Sequence, residues 1–262
     1  GFRGPKNFLA SYPDTNIDVI EIDPDVIEVA KTYFELKESP RLEIFNDDAR
    51  KHLLLFDKKY DLIVLDAYAS NYVPYHLLTD EFFEVIEERL NTEGIVISNL
   101  IGSIEGENSP LIRSAYKTIS ETFPVSHIFL TEDPPTNIQN IIIVSSNNPY
   151  EIDRTQLLHL AQNSPADILV DELSLDNTVY QKAIETSDVP FLTDQFNPSE
   201  VLINPLTQKP YIEKYQESLS QSKEQQNKAA NMALGIMLLF ITIIWIIYFK
   251  RRIWETPFVV EK

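Results

Sequence analysis

Residues 17–66 read IDVIEIDPDVIEVAKTYFELKESPRLEIFNDDARKHLLLFDKKYDLIVLD and alternate short apolar runs with helical patterns. Three apolar runs, IDVIEI, LEIF and LIVL, have the length and composition of strands, and the segments between them repeat apolar residues at helical spacing. Carboxylates stand where the runs end, at Glu21 and Asp23, at Asp47 and Asp48, and at Asp66. Ligands of an open parallel sheet bind outside the carboxyl ends of its strands, so we expect these acids to line one crevice.

The same alternation continues after Asp66. A polar, proline-punctuated loop comes first. The later pattern then predicts a helix that starts at Thr79 and is ended by Gly94, a strand at 95–100, a helix at 109–123 and a hairpin of strands at 125–130 and 138–144. Strands that alternate with helices predict a parallel sheet. The predicted fold class is therefore α/β, a doubly wound and mostly parallel Rossmann-like sheet with an antiparallel C-terminal hairpin.

The chain divides into one main domain and a C-terminal extension. We assign residues 1–150 to the Rossmann-like domain, and we expect its first, central strand upstream of Gly1 because no apolar strand precedes Ile17. Residues 151–208 are assigned to a helical and loop extension of the same domain, which contains a helix near 177–186. Three segments follow, a polar helical stalk at 209–230, a transmembrane helix at 231–249 and a short basic tail at 250–262.

The segment 231–249, NMALGIMLLFITIIWIIYF, has 19 residues without a charge and is followed at once by KRR. At about 1.5 Å per residue, its length matches the roughly 30 Å hydrocarbon core of a bilayer. Trp245 and Tyr248 lie near one end, as interface anchors do. The alternative is a buried core helix, but a helix that is apolar all round has little left to pack against at the end of a soluble domain. We therefore expect the lipid bilayer to be a partner.

Charge and composition argue against some classes of partner and of binding site. The net charge of −18 repels phosphate backbones, so the sequence predicts no nucleic-acid partner. The acidic surface is either simply solvated or a docking site for a cation such as a polyamine, and charge alone leaves both open. There are no cysteines, and the four histidines show no metal-ligand spacing, so we expect neither disulfides nor a metal site.

Three acids at the strand ends are candidates for binding and chemistry. Glu21 lies one residue inside an apolar strand, where its carboxylate can accept hydrogen bonds from both hydroxyls of a ribose. Asp48 can accept from the amino group of adenine, or it can simply cap the helix that follows. Asp66 can take a proton from an amine, or it can initiate a turn.

Further candidates lie outside this stretch. Gly1 and Gly4 have no side chains, so they suit the close backbone approach of a cofactor-binding turn. Tyr75 and His76, with the other rings of their loop, are candidates to close over a substrate, although such rings more often pack a loop onto a sheet. Asp194, in LTDQF, is a further candidate for the same crevice.

Six motifs occur together in this chain: VIEIDPDVIEVAKTYF, NDDAR, YDLIVLDAY, VPYHLLTDEFF, GIVISNL and FLTDQFNPSEVL. Their combination resembles the spermidine synthase-like, or polyamine aminopropyltransferase-like, branch of the S-adenosylmethionine-dependent methyltransferase fold, in its membrane-anchored form. The resemblance implies a seven-stranded sheet, with Glu21 on the cofactor ribose, Asp48 on its adenine and Asp66 at the reaction centre. It implies S-adenosylmethionine or its decarboxylated form as the cofactor.

One departure from that family concerns the reaction centre. Aminopropyltransferases of the family carry a D-x-x-D pair here, whereas Asp66 is followed by Ala67, Tyr68 and Ala69. Asn71 stands near the place of a second acid, and its amide can hydrogen-bond to a substrate but cannot take a proton. We count Tyr68 and Asn71 among the candidate substrate-binding residues.

Two functions follow as hypotheses. In the first, the protein is a membrane-anchored transferase that alkylates a small amine. In the second, it is a catalytically inactive accessory or scaffold subunit of a membrane protein complex. The basic KRR after the apolar segment favours a cytoplasmic tail, whereas the cytosolic supply of the cofactor favours a cytoplasmic globular domain. We expect a membrane location with the globular domain on the cytoplasmic side.

Overall fold

The computed structural model describes residues 3–34, 36–67, 74–147, 179–199, 202, 232 and 235–237. Strands and helices alternate in the predicted order. They are α1 (Arg3–Ser11), β1 (Ile17–Glu21), α2 (Pro24–Tyr33), β2 (Leu42–Asn46), α3 (Ala49–Leu55), β3 (Tyr60–Leu65), a 3₁₀ turn (Tyr75–Leu77), α4 (Asp80–Arg89), β4 (Leu90–Gly102), α5 (Pro110–Thr122), β5 (Val125–Leu130) and β6 (Gln139–Ser146).

Acidic caps start two of the helices. Asp23 precedes Pro24 and accepts a hydrogen bond from the backbone N–H of Asp25, so α2 begins with a capped first turn and a proline at a position that needs no donor. Asp48 caps α3 in the same way, by accepting from the backbone N–H of Lys51. Both caps hold short turns between a strand end and a helix.

Among the described residues, the paired strands form a two-stranded sheet and a four-stranded sheet, which we call the smaller and the larger part of the sheet. β1 pairs with β2 in parallel, and β3 pairs with β4 in parallel. β6 pairs antiparallel with both β4 and β5, which gives the order β3-β4-β6-β5 in the larger part of the sheet. The predicted parallel strands and C-terminal hairpin are therefore confirmed.

The larger part of the sheet is buried on both faces, because successive side chains of a strand point to opposite sides. On β4, Val96 and Leu100 belong to the core beneath α3, α4 and α5. Ile95 and Ile97 belong to the core on the other face, together with Tyr12, which follows α1. The covered sheet fixes the end of β3, where Asp66 lies.

Gly94 does not end a helix, contrary to our prediction. Helix α4 ends at Arg89 and β4 starts directly at Leu90. Between its pairings with Tyr60 and Leu62 of β3, β4 has extra residues that bulge out of the ladder. A Cβ atom on Gly94 would lie 2.9 Å from the Asn91 carbonyl oxygen and 2.9 Å from the Leu90 Cβ, so the bulge requires glycine.

The predicted helix near 177–186 is wrong in its described part, residues 179–186, which contains no helix. Val179 forms a bridge to Phe129 of β5, and the Tyr180 backbone N–H donates to the Ile128 carbonyl oxygen over 2.9 Å. The backbone of Val179 and Tyr180 therefore pairs with the edge strand β5 and cannot form a helix there. The rest of the predicted extension at 151–178 lies outside the described residues.

The apolar segment 231–249 also lies mostly outside the described residues, as do the predicted stalk at 209–230 and tail at 250–262. Within the described part of the chain, no helix has both the length and the apolar character that crossing a membrane requires. Ile236 is 6% exposed and packs with Ile97 and Phe129 in the second core. At least this residue of the segment lies against the sheet.

A buried carboxylate joins the two parts of the sheet. β1 and β3 are not paired with each other, but Asp18 of β1 accepts a hydrogen bond from the Tyr60 hydroxyl of β3 over 2.9 Å. The Lys58 ammonium donates to the same oxygen over 2.6 Å, and the Asp18 side chain is only 5% exposed. Burial, and then the bond to Asp18, raise the pKa of Tyr60 above its ordinary value.

We expect Tyr60→Phe to lower the free energy of unfolding by about 1–2 kcal/mol at pH 8, because it removes a donor from a buried charge. The folded state holds the Tyr60 proton more tightly than the unfolded state. The contribution of Tyr60 to the free energy of unfolding is therefore complete below about pH 10 and is lost as the pH rises through the pKa that Tyr60 has in the folded state. Urea unfolding between pH 8 and pH 10.5 should show the gap between wild type and variant narrowing.

The matched control is Tyr33→Phe, at a tyrosine that is 76% exposed. Equal effects of the two substitutions at pH 8, or a gap that stays constant up to pH 10.5, would contradict this account of Tyr60.

Candidate functional site

The three candidate acids lie where the sequence predicted them, at the carboxyl ends of strands. Glu21 is the last residue of β1, Asp48 follows the end of β2 by two residues, and Asp66 directly follows β3. Glu21 is in register with Asn46, the last residue of β2, so the ends that carry Glu21 and Asp48 are neighbours. This edge of the sheet is the candidate site.

Glu21 is held at the first of these ends by backbone and side-chain contacts. Its Oε1 accepts from the backbone N–H of Asp23 over 3.0 Å. The Asn46 side-chain amide donates to the carbonyl oxygens of Glu21 and Ile22, over 2.9 and 3.0 Å, and so ties the two strand ends together. Within the described residues, Glu21 Oε2 makes no hydrogen bond, so this oxygen is available to a ligand.

Asp48 uses its two carboxylate oxygens for different partners. Oδ1 accepts from the Lys51 backbone N–H over 2.9 Å and starts α3. Oδ2 lies 2.9 Å from Nε2 of His76, which belongs to the 3₁₀ turn. Asp48 is therefore the helix cap that one interpretation of the sequence favoured, and it also reaches a second residue of the site.

The 3₁₀ turn at Tyr75–Leu77 is anchored from both sides. Leu77 and the following Leu78 are 4% and 0% exposed and lie in the main core. The Arg50 guanidinium donates to the His76 carbonyl oxygen over 3.2 Å, and the Asn197 side-chain amide donates to the Tyr75 carbonyl oxygen over 2.8 Å. The position of the His76 ring therefore follows from contacts of its backbone.

Asp194 forms a bidentate ion pair with Arg50, in which both nitrogen–oxygen distances are 2.6 Å. The hydrogen bonds from Arg50 lower the pKa of Asp194, and Asp194 in turn raises the pKa of Arg50. The Asp194 backbone N–H also donates to Glu81 Oε2 over 2.9 Å. The structure thus places Asp194, a predicted substrate-binding residue, in a contact that fastens residues 192–197 to α3 and α4.

Asp66 has a partner that the sequence analysis did not single out. Its Oδ1 accepts from the Asn99 side-chain amide over 2.8 Å. Asn99 belongs to β4, next to Ser98, which is the register partner of Leu65. Among the described residues, the buried Oδ1 of Asn99 has no hydrogen-bond partner. The signal in the sequence was the polar residue in the apolar run GIVISNL.

The other predicted site residues are less closely connected. Tyr75 is 51% exposed, and its ring meets the His76 ring edge-on at 5.7 Å between centroids. Gly4 lies in the first turn of α1. Gly1, Tyr68 and Asn71 lie outside the described residues. The described site therefore consists of two groups, Asp48 with His76, Arg50 and Asp194, and Asp66 with Asn99, beside Glu21.

A family model of the spermine/spermidine synthase domain matches residues 8–156, which is more than half of the chain. The chain belongs to the spermine/spermidine synthase family. The match includes the three candidate acids, His76 and Asn99, whereas Asp194 lies beyond it.

Individual relatives agree with this family. The polyamine aminopropyltransferase of Vibrio vulnificus is 26% identical over 203 residues, which are 76% of this chain and 65% of that protein. A probable spermidine synthase from Corynebacterium glutamicum has a crystal structure with a TM-score of 0.51 and 23% identity, over 70% of this chain and 69% of that one. A spermidine synthase in complex with the transition state analogue AdoDATO has a TM-score of 0.50 and 20% identity, over 68% of this chain and 61% of that one.

These comparisons have two consequences. The structural likeness identifies the fold as a mixed α/β, methyltransferase-like fold with a central sheet, as the sequence predicted. The chain spans less than two thirds of the length of the Vibrio relative and about half the length of other polyamine aminopropyltransferases.

We expect Asp194→Asn to destabilise the protein by about 1 kcal/mol at pH 7, because a half-exposed bidentate pair is worth more than a single surface contact but is still screened by water. The pKa of Asp194 is lowered in the folded state. The contribution of Asp194 to the free energy of unfolding is therefore present above the pKa of about 4 that it has in the unfolded state, and this contribution is lost as the pH falls further. Unfolding curves of wild type and variant should converge between pH 5 and pH 2.

Asp57→Asn serves as the control, because Asp57 makes a single contact to Arg89 from a side chain that is 93% exposed. This control should change the free energy of unfolding by less than about 0.5 kcal/mol. If both variants change the free energy of unfolding by the same amount, Asp194 does not fasten residues 192–197 to α3 and α4.

Proposed function

We propose that this member of the family is a transferase that moves the aminopropyl group of decarboxylated S-adenosylmethionine to a small amine. The observation that carries the proposal is the set of three oriented carboxylates at the carboxyl ends of β1, β2 and β3, Glu21, Asp48 and Asp66, each of which accepts from a neighbouring donor. S-adenosylmethionine, with transfer of a methyl group, is the related alternative for the same site.

The acceptors in the site match the donors of an adenosine group. An adenosine offers hydrogen-bond donors at its ribose hydroxyls and at its amino group, and ionised carboxylates only accept. Glu21, with Oε2 available, would accept from the ribose hydroxyls. Asp48, at the neighbouring strand end, would accept from the amino group through Oδ2. When bound, the sulfonium donor supplies a carbon that is already primed for attack and a thioether as the leaving group.

Asp66 would prepare the amine. The amine must give up a proton so that its nitrogen lone pair can form the new C–N bond, while the C–S bond breaks and its electron pair goes to sulfur. Asp66 would take that proton. Asn99 holds the carboxylate in place through its amide N–H. Positioning by these two residues would supply most of the acceleration.

Calorimetric titration with decarboxylated S-adenosylmethionine, S-adenosylmethionine and 5′-methylthioadenosine tests the proposal. We expect Glu21→Gln to weaken binding of all three by about tenfold or more, because a charged acceptor of the ribose is lost. Asp66→Asn should leave the affinity for 5′-methylthioadenosine almost unchanged and abolish transfer to amines. Glu28→Gln, at an exposed position of α2, is the control for loss of a glutamate charge.

Each outcome of these titrations has a definite meaning. An affinity unchanged by Glu21→Gln would refute the ribose assignment. If the folded wild-type protein binds none of the three compounds, the transferase proposal fails and the hypothesis of an inactive accessory or scaffold subunit takes its place.

We further propose that residues 231–249 attach the protein to a bilayer, with the globular domain on the cytoplasmic side. The support for attachment is the uncharged 19-residue run, whose length matches the hydrocarbon core, and the support for the cytoplasmic side is the cytosolic supply of the cofactor. Charges inside the run should prevent attachment, because a charged side chain is costly in the hydrocarbon core. Ile243→Asp with Ile244→Asp should abolish flotation with liposomes, whereas Val259→Asp with Val260→Asp should not. Equal flotation of the two variants would refute the span.

A further inference from the structure

His76 contacts the acid that the proposed function assigns to the adenine base. Its Nε2 lies 2.9 Å from Asp48 Oδ2, and the two side chains are 32% and 28% exposed. In the sequence, His76 is a candidate substrate-binding residue of the loop that follows Asp66. The contact instead places His76 beside the proposed adenine acceptor.

Asp48 has few hydrogen-bond acceptor positions left for a ligand, and their direction is fixed. Oδ1 already accepts from the Lys51 backbone N–H, which fixes the rotation of the carboxylate. Oδ2 has two lone pairs, and the bond with His76 occupies one of them. One acceptor position on Oδ2 therefore stays available, and its direction is set by the helix cap on one side and by the imidazole on the other.

The backbone that carries the His76 ring is itself held in place. Arg50 donates to the His76 carbonyl oxygen over 3.2 Å and to Thr79 Oγ1 over 3.4 Å, while its other contacts form the bidentate pair with Asp194. The next residue, Leu77, is buried in the main core. A ring on an anchored backbone can orient the carboxylate, whereas a ring on a loose loop would follow it.

We propose that His76 is a positioning residue that aims Asp48 Oδ2 at a 6-amino group, so that the site selects adenosine over 6-oxopurine nucleosides. The proposal rests on the transferase function proposed above. An amino group donates to the remaining lone pair of Oδ2. A 6-oxo group presents a second acceptor to the carboxylate, and two acceptors repel each other. The selectivity therefore depends on the direction in which Oδ2 is held.

The experiment compares the dissociation constants of 5′-methylthioadenosine and 5′-methylthioinosine for the full-length protein. We expect the wild type to prefer the adenosine compound by about tenfold or more. His76→Ala should lower that preference by about fivefold, which is the usual effect of losing one hydrogen bond. The contact of Glu21 with the ribose should persist, so the inosine compound should keep nearly its wild-type affinity.

Two matched amide variants separate positioning from general damage to the fold. The side-chain amide of glutamine reaches about as far as His Nε2, so His76→Gln should keep most of the preference. The shorter amide of His76→Asn should not reach Asp48, and this variant should behave like His76→Ala. Glu38→Gln, at an exposed ion pair with Lys31 far from the carboxyl ends of the strands, is the control that should change neither constant.

The outcomes distinguish this inference from the proposed function. If the wild-type protein binds neither nucleoside, the proposed function fails and this inference fails with it. If the wild type prefers the adenosine compound and all His76 variants keep that preference, only the inference is overturned. A tighter binding of the adenosine compound by His76→Ala would also overturn it, because His76 would then occupy the place of the base.

Discussion

The bidentate pair of Arg50 and Asp194 is the contact on which the arrangement of the site depends. It joins the first turn of α3 to the segment at 192–197, across 144 positions of sequence. The same guanidinium also holds the turn that carries His76. Asp48 receives its orientation from this assembly on one side and from its own helix on the other. A planar, permanently charged fork suits this role, because it can bind a carboxylate and a backbone carbonyl at fixed angles.

The second half of the site is built on strands. Asp66 extends from the end of β3 and accepts a hydrogen bond from Asn99 on the adjoining strand. Strands are stiffer supports than loops, so the distance between these two side chains depends on the sheet and little on the loop that follows. The two halves are therefore built differently, with a network of charges around the proposed nucleotide and a strand-to-strand contact beside the proposed amine.

Sequence reasoning recovered the order of the elements, because β-branched runs and helical spacing are local signals. It also located Glu21, Asp48 and Asp66, since strand ends can be read from where an apolar run stops. It missed the start of β4, because the bulge around Gly94 is set by pairing with β3. It could not assign partners to His76 or Asp194, because those contacts join segments far apart in the chain. Asn99 was visible only as a polar residue in an apolar strand.

Asp18, with Tyr60 and Lys58, joins the two parts of the sheet near the amino ends of β1 and β3. The candidate acids lie at the opposite ends of the same strands. Substitutions around Asp18 can therefore change how well the domain resists heat or denaturant while the ligand-facing groups stay in place. In an evolving lineage, thermal tolerance and ligand selectivity are then free to change separately, because different ends of the same strands carry them.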